Sequence, residues 1–187
     1  MNLAESVSIV SPPNEPRGQL AHALDARYRP LPPDELLSVV RELAAALDVS
    51  AIDYVLGFPE GGVVPAFAFA HLVGRPLLLS TRFVLEGSGA LSFDEPHSGL
   101  GRTHYIQGLA AGDRVIIIED EVTTGRTLVN AVRALRGAGV TIDAAGALLA
   151  VDDPAMWQAM RDERISLVVT SRLPGVYRRL LGVDACP

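Results

Sequence analysis

Four β-branched residues in succession, Val115 to Ile118, run directly into two acids, Glu119 and Asp120, and then into T-T-G-R-T at Thr123 to Thr127. A run that is apolar at every position does not suit a strand with one wet face. It suits a strand covered on both sides. The chain repeats the pattern at Ile52–Leu56, Pro76–Ser80, Ala144–Val151 and Ile165–Thr170. Helical spacings lie between these runs. Leu36, Leu37, Val40, Leu43, Ala44 and Leu47 follow the start marked by Pro33 and Asp34, and Val63–Val73 is rich in alanine and phenylalanine. Leu128, Val132 and Leu135 share one face of a helix that Gly137 and Gly139 end. Asp153, Pro154 and Glu163 bracket another that carries Met156, Trp157 and Met160. Alternation of this kind predicts an α/β fold, a Rossmann-like parallel sheet of about five strands flanked by helices.

The 187 residues suffice for one domain with a full core. Residues 1–50 read as an N-terminal segment and its helix, 51–170 as the α/β core and 171–187 as a tail. Residues 1–33 look irregular, with prolines at Pro12, Pro13, Pro16, Pro30, Pro32 and Pro33, and the spacing allows a short helix around Gly18 to Tyr28. One connection, 83–112, is too long for an ordinary loop. Its glycines and serines, together with His97, predict a flexible lid, mobile from about Glu86 to Thr103.

In parallel sheets ligands bind beyond the carboxyl ends of the strands, so the residues following each strand are the informative ones. After the run at 115–118, hydroxyl residues and a glycine at a helix start suit a phosphate: N–H groups and the helix dipole face the anion, and glycine admits close approach. Val122, Thr123, Thr124, Gly125, Arg126 and Thr127 are the candidate phosphate residues. Glu119 and Asp120 cannot contact that phosphate. They suit a ribose diol or a bound Mg²⁺ in the next part of the same ligand. The plainer alternative is a helix N-cap at Thr123 or Thr124 beside two solvated strand-end acids.

The segment R-V-I-I-I-E-D-E-V-T-T-G-R-T-L resembles the signature of type I phosphoribosyltransferases that binds 5-phosphoribosyl 1-diphosphate (PRPP). Glu121 departs from the apolar residue usual after the acids. The resemblance extends from about Ile52 to Val151. G-F-P-E-G-G (Gly57–Gly62) resembles the family's pyrophosphate loop, with Glu60, Gly61 and Gly62 as candidates, and S-T-R (Ser80–Arg82) the basic end of its second strand. The break at 83–112 resembles the flexible hood. Its L-S-F-D-E-P-H-S is similar to a loop of adenine enzymes, whereas E-D-x-V-T-T-G is closer to orotate enzymes.

The resemblance implies transfer of the 5-phosphoribosyl group from PRPP to a nitrogenous base, with Mg²⁺ as cofactor. Glu119 and Asp120 would serve the ribose hydroxyls and, through them or water, the metal. Arg82 is the side-chain candidate for pyrophosphate, with Arg102 and His104 closing over it. Glu95 is the candidate general base or acid, and Asp152 is placed at the substrate edge, although with Asp153 it also reads as an N-cap before Pro154. The resemblance further implies a homodimer. A purine is the first expectation for the acceptor; orotate or a specialised metabolite is the alternative.

Composition narrows the classes. A net charge of −6 argues against a nucleic-acid partner. No apolar run approaches the roughly 18 residues of a membrane span, and no signal peptide is visible. The single cysteine, Cys186, excludes an internal disulfide and fits a reducing, cytoplasmic setting. All sixteen basic residues are arginine, so no lysine can act as base or phosphate ligand. Two other classes stay in view. One is a PRPP-sensing regulator, which would need a basic surface that the chain lacks. The other is an α/β module of the receiver type, which would lack the Thr/Gly loop after paired acids.

Overall fold

The computed structural model describes residues 3–11, 18–84, 89–96 and 102–182. A five-stranded parallel sheet forms its centre, in the order β4 (Leu77–Leu79), β3 (Tyr54–Gly57), β7 (Val115–Val122), β8 (Ala144–Val151), β9 (Ser166–Leu173). Side chains on the strands alternate between two cores. Val55, Ile116 and Ile118 pack against α1 (Pro33–Ala46) and α2 (Val63–Val73), with Leu43 and Phe69 fully buried. Leu56, Ile117 and Ala147 pack against α3 (Arg126–Gly137) and α4 (Pro154–Asp162). With both faces covered, each isoleucine of the run is worth about 1.5–3 kcal/mol of transfer free energy, which explains the unbroken apolar stretch. The two outer helix ends carry their expected signals. Asp153 Oδ1 accepts from the N–H groups of Ala155 and Met156 ahead of Pro154, and Gly74 closes α2 in the left-handed region. A short α5 (Val176–Leu180) follows β9.

Three expectations change. The N-terminal segment forms a 3₁₀ turn (Leu3–Ser6) and an antiparallel hairpin of β1 (Ser8–Val10) with β2 (Gln19–Ala21), and no helix spans 18–28. Leu3, Leu20 and Leu24 are buried in the core shared with α1, so tertiary burial outweighs local helix preference there. Strand β7 runs four residues past Ile118, because β8 lies alongside and pairs Glu119 with Ala147 and Glu121 with Leu149. The acids therefore belong to the strand rather than to the loop after it.

The third change concerns the expected lid. Its described residues form an antiparallel hairpin, β5 (Leu91–Glu95) with β6 (Arg102–Ile106). Phe93, His104 and Ile106 are buried, and Thr81 and Tyr105 exchange two backbone hydrogen bonds of 2.8 Å. Asn130 Nδ2 of α3 donates to the Asp94 carbonyl at 2.9 Å. An alternating apolar pattern that finds a core face overrides the loop signal of the surrounding glycines. The parts of the lid at 85–88 and 97–101, His97 among them, lie outside the described residues, as does Cys186.

Candidate active site

A cleft open to solvent lies at the carboxyl ends of β3 and β7. Five segments meet there: the turn after β3, the acidic end of β7, the start of α3, the β5–β6 hairpin and the arm that follows β2.

The turn Phe58–Gly62 is moulded onto the acids. Glu119 Oε1 accepts from the Phe58 N–H at 3.2 Å. A Cβ at Gly61 would fall 1.6 Å from Asp120 Oδ2, and one at Gly62 would fall 2.7 Å from the Phe58 carbonyl and 3.0 Å from Glu119 Oε1. Both glycines are thus demanded by close approach between the turn and the carboxylates. The Pro59–Glu60 peptide bond within this turn is cis.

Three successive carboxyls end the strand. Burial, and then the charge of Asp120, push Glu119 well above the ordinary glutamate range. Burial also pushes Asp120 up to about 6, against the opposing pull of Arg27. Glu121 is raised by burial and by Asp120. Packing several acids at one strand end raises the cost of ionising them together, and the site is prepared for a cation or hydroxyl donors.

The start of α3 is built differently. Gly125 sits at φ 71° as the residue before the helix, and no side chain caps it. An uncapped helix start presents its first N–H groups and its positive dipole end to whatever lies before it. A Cβ on Gly125 would meet Met160 Cε at 2.8 Å and Met156 Cγ at 3.1 Å, besides the strain of its positive φ. Gly125, not Thr123 or Thr124, holds the N-cap position, and Thr124 Oγ1 accepts from the Arg126 N–H at 3.3 Å, leaving the following N–H groups of the first turn without a side-chain cap.

The β5–β6 hairpin supplies a buried relay. Ser80 Oγ and His104 Nδ1 are 2.9 Å apart, and His104 Nε2 and Glu95 Oε2 are 3.0 Å apart. The His104 ring stacks on Phe93, with centroids at 5.1 Å, and is 1% exposed. Arg82 stands 3.5 Å from the same Glu95 oxygen. Burial would raise Glu95, but the His104 hydrogen bond and the nearby charges of His104, Arg82 and Arg102 outweigh it and lower its pKa. Glu95 therefore faces the cleft as a carboxylate.

Of the residues singled out from sequence, Glu60, Gly61, Gly62, Glu95, His104, Glu119 and Asp120 line this cleft, as do Val122, Thr123, Thr124, Gly125 and Thr127. Arg82 does not line it and, among the described residues, contacts only the lining residue Glu95, at 3.5 Å. Arg102, Arg126 and Asp152 do not line it. Arg126 is exposed on the first turn of α3, and Asp152 accepts from Trp157 Nε1 at 2.7 Å beside Arg172. His104 is held in the hairpin core with both ring nitrogens engaged, rather than free to close over a ligand.

Sequence reading missed Arg27, Phe58 and Glu121. Arg27 forms a two-point ion pair with Asp25, at 2.9 and 2.8 Å, and reaches Asp120 Oδ2 at 3.4 Å. Burial alone would lower its pKa; the Asp25 hydrogen bond and the charge of Asp120 raise it instead. The only local signal was the D-A-R spacing of Asp25 and Arg27, and nothing in it points to an acid 93 residues away. Glu121 announced itself as an acid in an apolar position.

Comparison with known proteins identifies the family. A family model described as phosphoribosyl transferase matches residues 22–164. The chain is 30% identical over 141 residues to a hypoxanthine/guanine phosphoribosyltransferase of Methanosarcina barkeri, covering 72% of this chain and 73% of that one. It is 34% identical over 111 residues to an orotate phosphoribosyltransferase of a Nocardioides species, covering 59% and 55%. The match thus spans little more than half of that second relative. Among solved structures, the adenine phosphoribosyltransferase of Giardia lamblia complexed with 9-deazaadenine shares the fold, with a TM-score of 0.70 at 20% identity, over 92% of this chain and 98% of that chain. With the family model covering more than half of its length, the chain belongs to the phosphoribosyl transferase family.

Proposed function

We propose that this protein transfers the 5-phosphoribosyl group of PRPP to a ring nitrogen of a purine-like base and releases pyrophosphate. The observation that carries the reading is the seating of Gly61 and Gly62 against Glu119 and Asp120 in one cleft with the uncapped start of α3. In this reading the Pro59–Gly62 turn, the two acids and the start of α3 would take pyrophosphate, ribose and 5-phosphate respectively. The named activities of the relatives in hand, on hypoxanthine/guanine and on orotate, belong to the same reaction class.

In this reading the 5-phosphate sits on Thr123–Thr127, bound mainly by N–H groups of the first turn of α3. Glu119 and Asp120 accept from the ribose hydroxyls. The Pro59–Gly62 turn receives pyrophosphate through its backbone. The bond from the anomeric carbon to the pyrophosphate oxygen breaks as the bond to the acceptor nitrogen forms, and Glu95 takes the proton that the nitrogen gives up. The protein's part is positioning, and neutralisation of the charge on the leaving group.

Mg²⁺ fits the donor set. Glu119 and Asp120 are hard oxygen donors lining the cleft, and Mg²⁺ is commonly held by one or two carboxylates together with substrate oxygens. When bound it would neutralise pyrophosphate charge. We further place the protein in solution as a homodimer; Phe67, 63% exposed on α2, is an apolar contact available to a second copy. Among the described residues no helix is long and apolar enough to cross a membrane.

The test is product detection by mass spectrometry after incubation with PRPP, Mg²⁺ and a panel of bases. A phosphoribosylated base is expected. No product with any base, together with no PRPP heat in calorimetry with or without Mg²⁺, would overturn the reading. PRPP heat without product would favour a sensor of PRPP over an enzyme.

A further inference from the structure

Ser80 does not line the cleft, yet it is bonded to a residue that does. It follows β4 at the edge of the central sheet, is 2% exposed, and donates its N–H to the Gly57 carbonyl at 3.1 Å. Its hydroxyl meets His104 Nδ1 across 24 residues, and the other nitrogen of that ring meets Glu95. One imidazole thus ties the edge of the central sheet to a carboxyl on the β5–β6 hairpin.

The register makes this contact. Thr81 pairs with Tyr105, so the residues just before each of them, Ser80 and His104, are brought together. Phe93 lies opposite His104, and Glu95, two residues on, shares the Phe93 face of β5. Phe93 stacks on the His104 ring with an interplanar angle of 14°, and the Phe58 centroid lies 5.9 Å away. A buried ring packed against aromatic neighbours, with a partner on each nitrogen, has one orientation.

The partners assign its hydrogens. A carboxylate oxygen only accepts, so Nε2 donates to Glu95. In the uncharged ring Nδ1 then carries a lone pair, and the Ser80 hydroxyl is a donor that can meet it. With an apolar residue in place of Ser80 the ring could instead carry its hydrogen on Nδ1, which would set a lone pair against Glu95. His104 and Arg82 both act on Glu95 Oε2, at 3.0 and 3.5 Å, so Oε1 is the oxygen left for a ligand.

We propose that Ser80 and His104 are positioning residues: the Ser80 hydroxyl holds His104 as its Nε2–H tautomer, and that N–H holds the Glu95 carboxyl in place to take the proton of the acceptor nitrogen. The inference rests on the transferase reading above. It anchors a group on a hairpin to the rigid sheet, as a reacting group that must be held to within about 0.5 Å requires.

Two measurements test it. Nitrogen NMR of histidine-labelled protein reads the tautomer without substrate. The parent should show His104 protonated on Nε2 and bare on Nδ1, and Ser80→Ala should lose that single form. Steady-state kinetics with PRPP, Mg²⁺ and whichever of adenine, guanine, hypoxanthine and orotate the parent turns over reads the consequence. His104→Phe keeps the stacked ring and removes both hydrogen bonds. Its kcat should fall on the order of tenfold to a hundredfold, the loss of one charge-assisted hydrogen bond, with KM for PRPP within about threefold of the parent. His104→Gln can place an N–H near the Nε2 position and should recover part of the loss. Ser80→Ala should lower kcat about threefold to tenfold, and Ser80→Thr, which keeps the hydroxyl, should recover most of it. In a Glu95→Gln background, His104→Phe should lower kcat by less than about threefold more, because the carboxyl it positions is already gone.

Circular dichroism checks the fold; should His104→Phe not fold, the Ser80 variants decide on the same split between kcat and KM. A hydrogen on His104 Nδ1, an undiminished kcat in His104→Phe, or an equal fall in the parental and Glu95→Gln backgrounds overturns the inference and leaves the transferase reading standing. A parent that turns over no base removes both.

Discussion

Gly61→Ala probes the contact on which the site geometry depends. The added Cβ would fall 1.6 Å from Asp120 Oδ2, 2.4 Å from its Cγ and 2.8 Å from Oδ1. An ordinary contact needs about 2 Å more than the first of these. The turn has little room to retreat, because Gly62 already approaches the Phe58 carbonyl and Glu119 as closely as a Cβ-free residue allows. Asp120 is 8% exposed and holds Arg27 at 3.4 Å, so its carboxyl cannot rotate without breaking that contact. The overpacking should cost about 1–3 kcal/mol of stability. A displacement of about 1 Å between the turn and the ribose-binding acid should lower kcat/KM about a hundredfold. Thermal unfolding, PRPP calorimetry and steady-state kinetics measure these effects. Gly137→Ala is the control, since nothing lies within 4 Å of a Cβ there and its φ is not positive; it should match or slightly exceed the parent in stability. A Gly61→Ala protein with parental stability and PRPP affinity within about threefold would refute the claim that this glycine is dictated by Asp120.

Gly125→Val should abolish binding of ribose 5-phosphate, because it combines a positive φ with contacts of 2.8 and 3.1 Å to Met160 and Met156, whereas Thr127→Ala should lose about 1.5–3 kcal/mol; calorimetry on folded variants decides, and parental binding by Gly125→Val would displace the phosphate site. His104→Ala removes a stacked, buried ring bonded to Ser80 and Glu95, and should cost about 3 kcal/mol in denaturant unfolding, with a loss below about 0.5 kcal/mol counting against the relay. For pH, Asp120 has a folded value of about 6 against 3.8 when unfolded. A raised folded value means that its contribution is fully present below about pH 4 and is lost as pH rises through about 6, worth up to about 3 kcal/mol. Glu119 and Glu121 act in the same direction, while Glu95 and Asp153, both lowered, lose their contributions only at more acid pH. The ligand-free protein should therefore melt higher at about pH 5.5 than at about 7.5, and Asp120→Asn should flatten that dependence; identical profiles for parent and variant would contradict it.

The central sheet and the acid-to-loop passage were legible in the sequence because both are local. An apolar run such as Val115–Ile118 can be satisfied only by cover on both faces, and a glycine between threonines at a helix start has few other uses. Which residues follow the strand was misjudged, because pairing with β8 rather than composition carries β7 on through Val122. The lid hairpin was hidden for a related reason. Phe93, His104 and Ile106 are apolar or ring side chains at alternate positions, and that alternation acquires meaning only when α3 and Phe58 provide a surface for it. The role of Arg27 belongs to the tertiary structure, whereas Glu121 showed in the sequence only as an acid in an apolar position. Arg27 meets Asp120 across 93 residues and Glu121 feels Asp25 and Arg27 of the N-terminal arm, and a charge is costly or useful only according to what burial and packing place beside it.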